Sequence, residues 1–222
     1  MIASHRFGTL TAAILVLVGV ACGWQHIAER EEPANDVVRE KQTAPRQVLL
    51  VRHAEKPSDD TDVHLTSRGA ARAAALPSLF AIPPTFPTKP AAFPTPDFLI
   101  AAKASKRSNR SIETLTPLAK ALEKPIDHQH ADRDFFLVIQ PLFGEVKYAG
   151  TTVLIGWHHG SLPEIAMAIA AKAKNAAALQ RQIPERWEGA VFDRVWVITF
   201  DDARSATFVD QPQKLLFGDS KK

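Results

Sequence analysis

The sequence predicts an α/β protein, a three-layer α/β/α sandwich with a mostly parallel central sheet. Three observations carry that prediction. Short apolar runs at residues 48–51 (VLLV), 97–102 (DFLIAA) and 152–157 (TVLIGW) have the length and content of buried strands. Segments with helical spacing of apolar residues lie between them, the alternation expected of a parallel sheet covered on both faces. Each run also stops abruptly at polar residues, and ligands of α/β proteins bind outside the carboxyl ends of parallel strands.

The N-terminal part stands apart from this pattern. Arg6 precedes an apolar run from residue 9 to residue 21 (TLTAAILVLVGVA), short for a membrane span and suited to the core of a signal peptide. Cys22, the single cysteine, closes that run. Val20-Ala21-Cys22 reads either as a lipoprotein cleavage site with Cys22 lipidated, or as the end of a signal peptide or uncleaved anchor. The expected organisation is a signal or anchor over 1–22, a polar tether over 23–46 and one domain over 47–222. The expected location is outside the cytoplasm, periplasmic or membrane-anchored, with attachment through the N-terminus or Cys22 left open. A domain without a second cysteine draws its stability from its core rather than from disulfides.

Within the domain, the loop at 55–64 (EKPSDDTDVH) is polar and turn-rich, and Thr66 is placed as the N-cap of a helix over 68–80. Seven prolines between residues 77 and 96 exclude helix and central strand there. A helix over 108–122 places Ile112, Leu115, Leu118, Ala119 and Leu122 on one face. A short strand is expected at 125–127. The stretch 134–146 has helical apolar spacing interrupted by Pro141. A helix over 162–173 and a terminal hairpin of 195–200 with 206–209 complete the domain.

The polar residues at the three strand ends share one chemistry. The first strand ends in Arg52-His53, the second leads through Ser105 to Arg110 at a helix start, and the third ends in His158-His159. Guanidinium forks match phosphate oxygens, a helix N-terminus offers free N–H groups to an anion, and a neutral imidazole can attack phosphorus. If the strands are parallel neighbours, these ends converge on a pocket for a phosphate dianion. The formal charge of +3 suits an anionic small substrate, and no Lys/Arg block marks a nucleic-acid-binding arm. Lys103, Lys106 and Arg107 read as a solvated face. Trp157, Trp187 and Trp196 read as core or pocket wall. His128-Gln129-His130-Ala131-Asp132 begins like a metal-binding H-x-H-x-D, but Arg133 stands where that pattern needs another histidine, so no metal is expected.

At this point the chain resembles the histidine phosphatase superfamily, which includes the cofactor-dependent phosphoglycerate mutases. Arg52-His53-Ala54-Glu55 is similar to its R-H-G-E signature, and residues 65–73 (LTSRGAARA) to its L-T-x-x-G-x-x-R-A helix. Residues 110–114 (RSIET) with 117–119 (PLA) are similar to R-[AS]-x-[EQ]-T…P-L-A, and residues 153–158 (VLIGWH) to its second-histidine strand. The resemblance runs in order from residue 48 to 165. It implies His53 as a nucleophile carried through a phosphohistidine, with Arg52, Arg110 and His158 clamping the phosphoryl oxygens. Glu55 is implied as a partner that holds the pocket; His159 reads as a pocket-rim contact, and Ser105 either as a pocket contact or as loop polarity. His158 rather than His159 is chosen because it precedes Pro163 by the family's five residues. Ala54 departs from the usual glycine. The general acid of many members has no motif here, and Asp127, Asp132, Glu145 and Glu164 are the candidates. The implied activity is metal-independent hydrolysis of phosphomonoesters without a cofactor. A phosphohistidine phosphatase, a phosphomutase and a non-catalytic phosphate-binding module are the alternatives, with a small phosphorylated substrate or a phosphoprotein as partner. A neutral His53 and a cationic His158 together predict a bell-shaped rate with a mildly acidic optimum.

Overall fold

A computed structural model describes residues 43–59, 61–82 and 91–220. The apolar N-terminal run, Cys22 and the tether up to residue 42 lie outside the described residues, as do residues 83–90 of the Pro-rich loop. The last tether residues belong to the domain. Ala44 is fully buried, the Thr43 hydroxyl donates to the Phe143 carbonyl, and Arg46 N–H donates to the Thr151 carbonyl. Packing therefore begins at least four residues before the expected boundary at 47 (47 − 43 = 4).

The elements in chain order are β1 (Gln47–Arg52), α1 (Ser67–Ala75), β2 (Phe98–Ala101), α2 (Arg110–Leu122), β3 (Ile126–Asp127), α3 (Phe136–Gly144), β4 (Thr152–Trp157), α4 (Leu162–Ala170), α5 (Ala176–Gln180), β5 (Arg194–Phe200) and β6 (Ala206–Pro212). The sheet order is β3-β2-β4-β1-β5-β6. The first four strands in that order are parallel, and the hairpin β5–β6 joins antiparallel at β1. The mostly parallel α/β/α sandwich is thus the observed architecture.

Alternating side chains make the two cores. Val48 and Leu50 of β1, with Val153, Ile155 and Trp157 of β4, face α3 and α4, where Val138, Ile139, Leu142, Ile165, Ala166 and Ile169 meet them. Leu49 and Val51 of β1, with Leu154 of β4, face α2 and the turn after α1, meeting Leu76, Leu79, Leu115 and Leu118. Both faces of the sheet are covered, which is why these strands read as continuous apolar runs.

Helix limits follow local chemistry. Thr66 caps α1 by accepting the Gly69 N–H at 3.0 Å, as expected from sequence. The predicted helix to residue 80 stops at Ala75 and gives way to a 3₁₀ turn at Leu76–Leu79, where Pro77 cannot donate. Helix α2 starts at Arg110 rather than 108, because Ser105 and Ser108 pair through their backbones to close a turn. Pro141 does not break α3. It lies in a nine-residue helix, where burial of Val138, Ile139 and Leu142 outweighs one missing hydrogen bond.

Candidate active site

The sheet order settles the convergence that the sequence requires. β2, β4 and β1 are adjacent and parallel, with Arg52 in register with Trp157 and Ala101 with Gly156. Gly156 keeps this edge tight, because a Cβ there would press within 3.1 Å of the Leu115 side chain. Arg52, His53 and His158 therefore emerge on one edge, and the N-terminus of α2 brings Arg110 to it.

His53 is 2% exposed. Its Nδ1 lies 2.8 Å from the Ala54 carbonyl, which can only accept, so Nδ1 carries the proton and Nε2 keeps its lone pair. Burial pushes the pKa of His53 down to about 3, and the neighbouring cations Arg52, His158 and Arg110 act in the same direction. The ring is therefore a neutral imidazole at physiological pH, the form needed for attack. Its backbone is pinned as well. His53 N–H donates to the Trp157 carbonyl, and Ala54 N–H donates to Thr114 Oγ1 at 2.8 Å. The Thr114 hydroxyl donates to the Arg110 carbonyl at 2.7 Å, so one threonine ties α2 to the loop after β1.

Arg52 is buried, and its Nη1 donates to the carbonyls of Gly189 (2.6 Å) and Val191 (3.0 Å). The guanidinium lies 3.7 Å from the centroid of the Phe192 ring. Its buried Nε finds no acceptor among the described residues. Burial lowers its pKa to about 10, which still leaves it charged at neutral pH. Arg110, the first residue of α2, donates to the carbonyls of Asp62 (2.7 Å) and Arg107 (3.2 Å). Carbonyl oxygens orient both cations.

His158 faces His53 edge on, with ring centroids 5.3 Å apart. Burial lowers its pKa, Arg110 and Arg52 add to that, and the charge of Asp132 opposes it. Asp132 is anchored beside this strand end. Its carbonyl accepts the Trp157 indole N–H at 3.2 Å, and its carboxylate accepts the Ser161 hydroxyl at 2.8 Å. Of the four candidate acids it is the one whose charge acts on His158. His159 is half-buried next to Gly189 of the loop that holds Arg52, and burial lowers its pKa too.

Glu55 holds the loop after the strand end, whereas Ser105 lies at the surface. Both oxygens of Glu55 accept from Arg72, at 2.8–3.1 Å, and Arg68 adds a further bond at 3.1 Å. Glu55 therefore braces the loop after His53, the pocket-holding place the resemblance implies. Ser105 is exposed, and its hydroxyl accepts the Arg107 N–H within a turn. Among the described residues no three His, Cys, Asp or Glu side chains group as metal ligands, His128, His130 and Asp132 included. Sequence reasoning missed Phe192, Thr114 and the carbonyls of Gly189 and Val191. Thr114 had a signal, the threonine of RSIET. The carbonyls had none, since any residue supplies one.

No protein-family model and no curated protein matches the chain. Solved structures do. The chain is similar to a mycobacterial glucosyl-3-phosphoglycerate phosphatase bound to inorganic phosphate, with 11% identity, TM-score 0.45, and 75% of this chain and 95% of that one covered. It is similar to a protein named as the phosphohistidine phosphatase SixA from Agrobacterium tumefaciens, with 18% identity, TM-score 0.44, and 75% and 97% covered. It is also similar to a phosphoglycerate mutase from Plasmodium falciparum, with 12% identity, TM-score 0.45, and 79% and 97% covered. These are structures of histidine phosphatase superfamily members.

Proposed function

We propose that this chain is a histidine phosphatase that hydrolyses phosphomonoesters through a phosphorylated His53. One observation carries the reading. A buried, neutral imidazole with Nε2 unprotonated stands between two buried, carbonyl-oriented arginines and a second histidine, at the ends of adjacent parallel strands.

The chemistry follows from those positions. Arg52, Arg110 and the N-terminal N–H groups of α2 bind the phosphate dianion. The Nε2 lone pair forms the bond to phosphorus while the bond from phosphorus to the ester oxygen breaks. The leaving oxygen takes a proton from the His158–Asp132 pair. Charge on the equatorial oxygens is stabilised by the arginines and His158. Water then gives a proton back to the His158–Asp132 pair as its oxygen bonds to phosphorus and the bond from phosphorus to Nε2 breaks, releasing inorganic phosphate and restoring the free imidazole. The described chain adds little beyond the sheet and its helices, so the specificity wall is the start of the segment 127–150, which follows β3 at the carboxyl edge and carries Asp132; the end of the Pro-rich loop expected to share that role leads instead into the amino end of β2, where Asp97 meets Thr152. The apolar N-terminal run and Cys22 support a location outside the cytoplasm, which disfavours a mutase acting on cytoplasmic metabolites.

Turnover of p-nitrophenyl phosphate by the full chain, with and without EDTA, tests the reading. Chelator-resistant turnover that is lost in His53→Ala supports it. Chelator-sensitive turnover, or turnover that survives in His53→Ala, contradicts it. A panel of phosphorylated sugars, metabolites and phosphohistidine peptides then separates the substrate classes.

A further inference from the structure

The mechanism leaves one buried polar network unused. Arg72 of α1 is 3% exposed and makes two bidentate ion pairs. One is to Glu55, two residues after the nucleophile. The other is to Asp219 near the C-terminus, with Nη1 donating to Oδ2 at 2.9 Å and Nη2 to Oδ1 at 2.8 Å. Asp219 also accepts the N–H groups of Leu215 (2.9 Å) and Leu216 (3.0 Å), so its carboxylate folds the tail around itself.

The tail has a second anchor, reached through Gln213, whose side-chain oxygen accepts from Arg72 Nη1 at 3.1 Å. Gln213 N–H donates to the Asp193 carbonyl at 2.7 Å, and the Gln213 amide donates to the Arg194 carbonyl at 3.1 Å. Ser220 N–H donates to the Asp193 carboxylate. Asp193 follows Phe192, the ring that stacks on Arg52 and lies 6.1 Å from the His53 ring. Residues 213–220 thus join the loop that carries the nucleophile to the loop that backs the first phosphate cation.

We infer that residues 213–220 are a strap that aligns His53, with Asp219 as a positioning residue acting through Arg72 and Glu55. The proposal rests on the functional reading above and extends it to the C-terminus. The alignment is tight where it matters. Helix α1 packs so close to this loop that a Cβ at Gly69 would collide with the Glu55 carbonyl. The phosphate-binding arginines are held by other groups, the carbonyls of 189, 191, 62 and 107. Loosening the strap therefore misplaces the nucleophile and leaves ground-state phosphate binding intact. Arg72 holds the Asp219 carboxyl down to about 2, so the strap stays closed through the ordinary pH range.

The test compares the full chain with Asp219→Asn and Asp219→Glu. It measures kcat on p-nitrophenyl phosphate, inhibition by inorganic phosphate, and hydrogen exchange at single amides. In Asp219→Asn kcat falls about 10–100-fold, as expected for a misplaced reacting group, and the inhibition constant for phosphate stays within about twofold. Exchange at the Ala54 and Thr66 amides, which donate to Thr114 and Glu55, rises by about tenfold, with the amides of β2 and β4 unchanged. Asp219→Glu restores most of kcat. Unchanged exchange at Ala54 and Thr66 overturns the proposal. So does a rise spread over the whole sheet with kcat and phosphate inhibition lost together, since that marks a stability role only. If the wild-type chain shows no turnover, the functional reading fails, and the exchange pattern still decides the strap.

Discussion

His53 and His158 meet edge on, with planes inclined at 69° and centroids 5.3 Å apart, in a pocket that also holds the guanidinium groups of Arg52 and Arg110. Two imidazoles that close, among two fixed cations, cannot both protonate cheaply. Burial and the two guanidinium groups hold the pKa of both imidazoles below the ordinary histidine value, and the charge of Asp132 opposes this at His158.

A stability prediction follows from His53. Its folded pKa of about 3 lies below the ordinary 6.5. Above 6.5 it is neutral in both states, and its contribution is fully present. As pH falls from 6.5 toward 3 the unfolded chain takes up a proton that the folded chain refuses, and stability drops by at most about 1.4 kcal/mol per pH unit. His158, lowered in the same direction, adds to the slope. Urea unfolding of the wild type and of His53→Gln at pH 7 and pH 5 checks this. The pH slope is smaller in the variant.

For activity, the lowered His53 moves the acid limb well below the ordinary histidine range, and the alkaline limb belongs to loss of the proton on His158. Asp132 raises the pKa of His158, so Asp132→Asn lowers it and shifts the alkaline limb of the rate profile to lower pH. Rate profiles of the two proteins between pH 4 and about 9 provide the measurement. An alkaline limb that does not move removes Asp132 from this role.

Arg52→Lys keeps the charge and loses the planar fork held by Gly189 and Val191 and stacked on Phe192. We expect kcat/KM to fall by about a hundredfold or more, about 3 kcal/mol of transition-state stabilisation, with the fold retained. Steady-state kinetics alongside circular dichroism reads both effects.

Gly69→Ala would be a gain in helix propensity on an exposed helix. Here the added methyl meets the Glu55 carbonyl. The expected outcome is a net destabilisation of about 1–3 kcal/mol together with lowered kcat, since the displaced backbone is the nucleophile loop. Thermal unfolding with kinetics on the same samples checks it.

The strands and the residues they carry were legible in sequence because each signal is local. Residues 48–51 and 152–157 are apolar throughout, since both faces of the sheet are covered, and Arg52 and His158 mark their ends. Thr66, a residue that caps through its own hydroxyl, marks the start of α1. The boundary at residue 47 was too late because burial of Ala44 depends on long-range contacts near Thr151 and Phe143, which no local pattern encodes. Helix α5, over Ala176–Gln180, carries too few residues for a visible period. In the site, the arginine that braces Glu55 is Arg72, and Arg72 is itself paired with Asp219, far along the chain, a link no local pattern encodes. The carbonyls that orient Arg52 and Arg110 are backbone groups with no sequence signature.

The most direct test of the central claim is to trap the covalent intermediate. The full chain is mixed with a phosphomonoester, quenched in alkali within milliseconds to seconds, and mapped by peptide mass spectrometry. The account predicts one added phosphoryl group on His53, stable to alkali and labile to acid, absent in His53→Ala and accumulating when His158 is replaced. A phosphoryl group on another residue, or turnover with no phosphorylated His53 at any time, would contradict it.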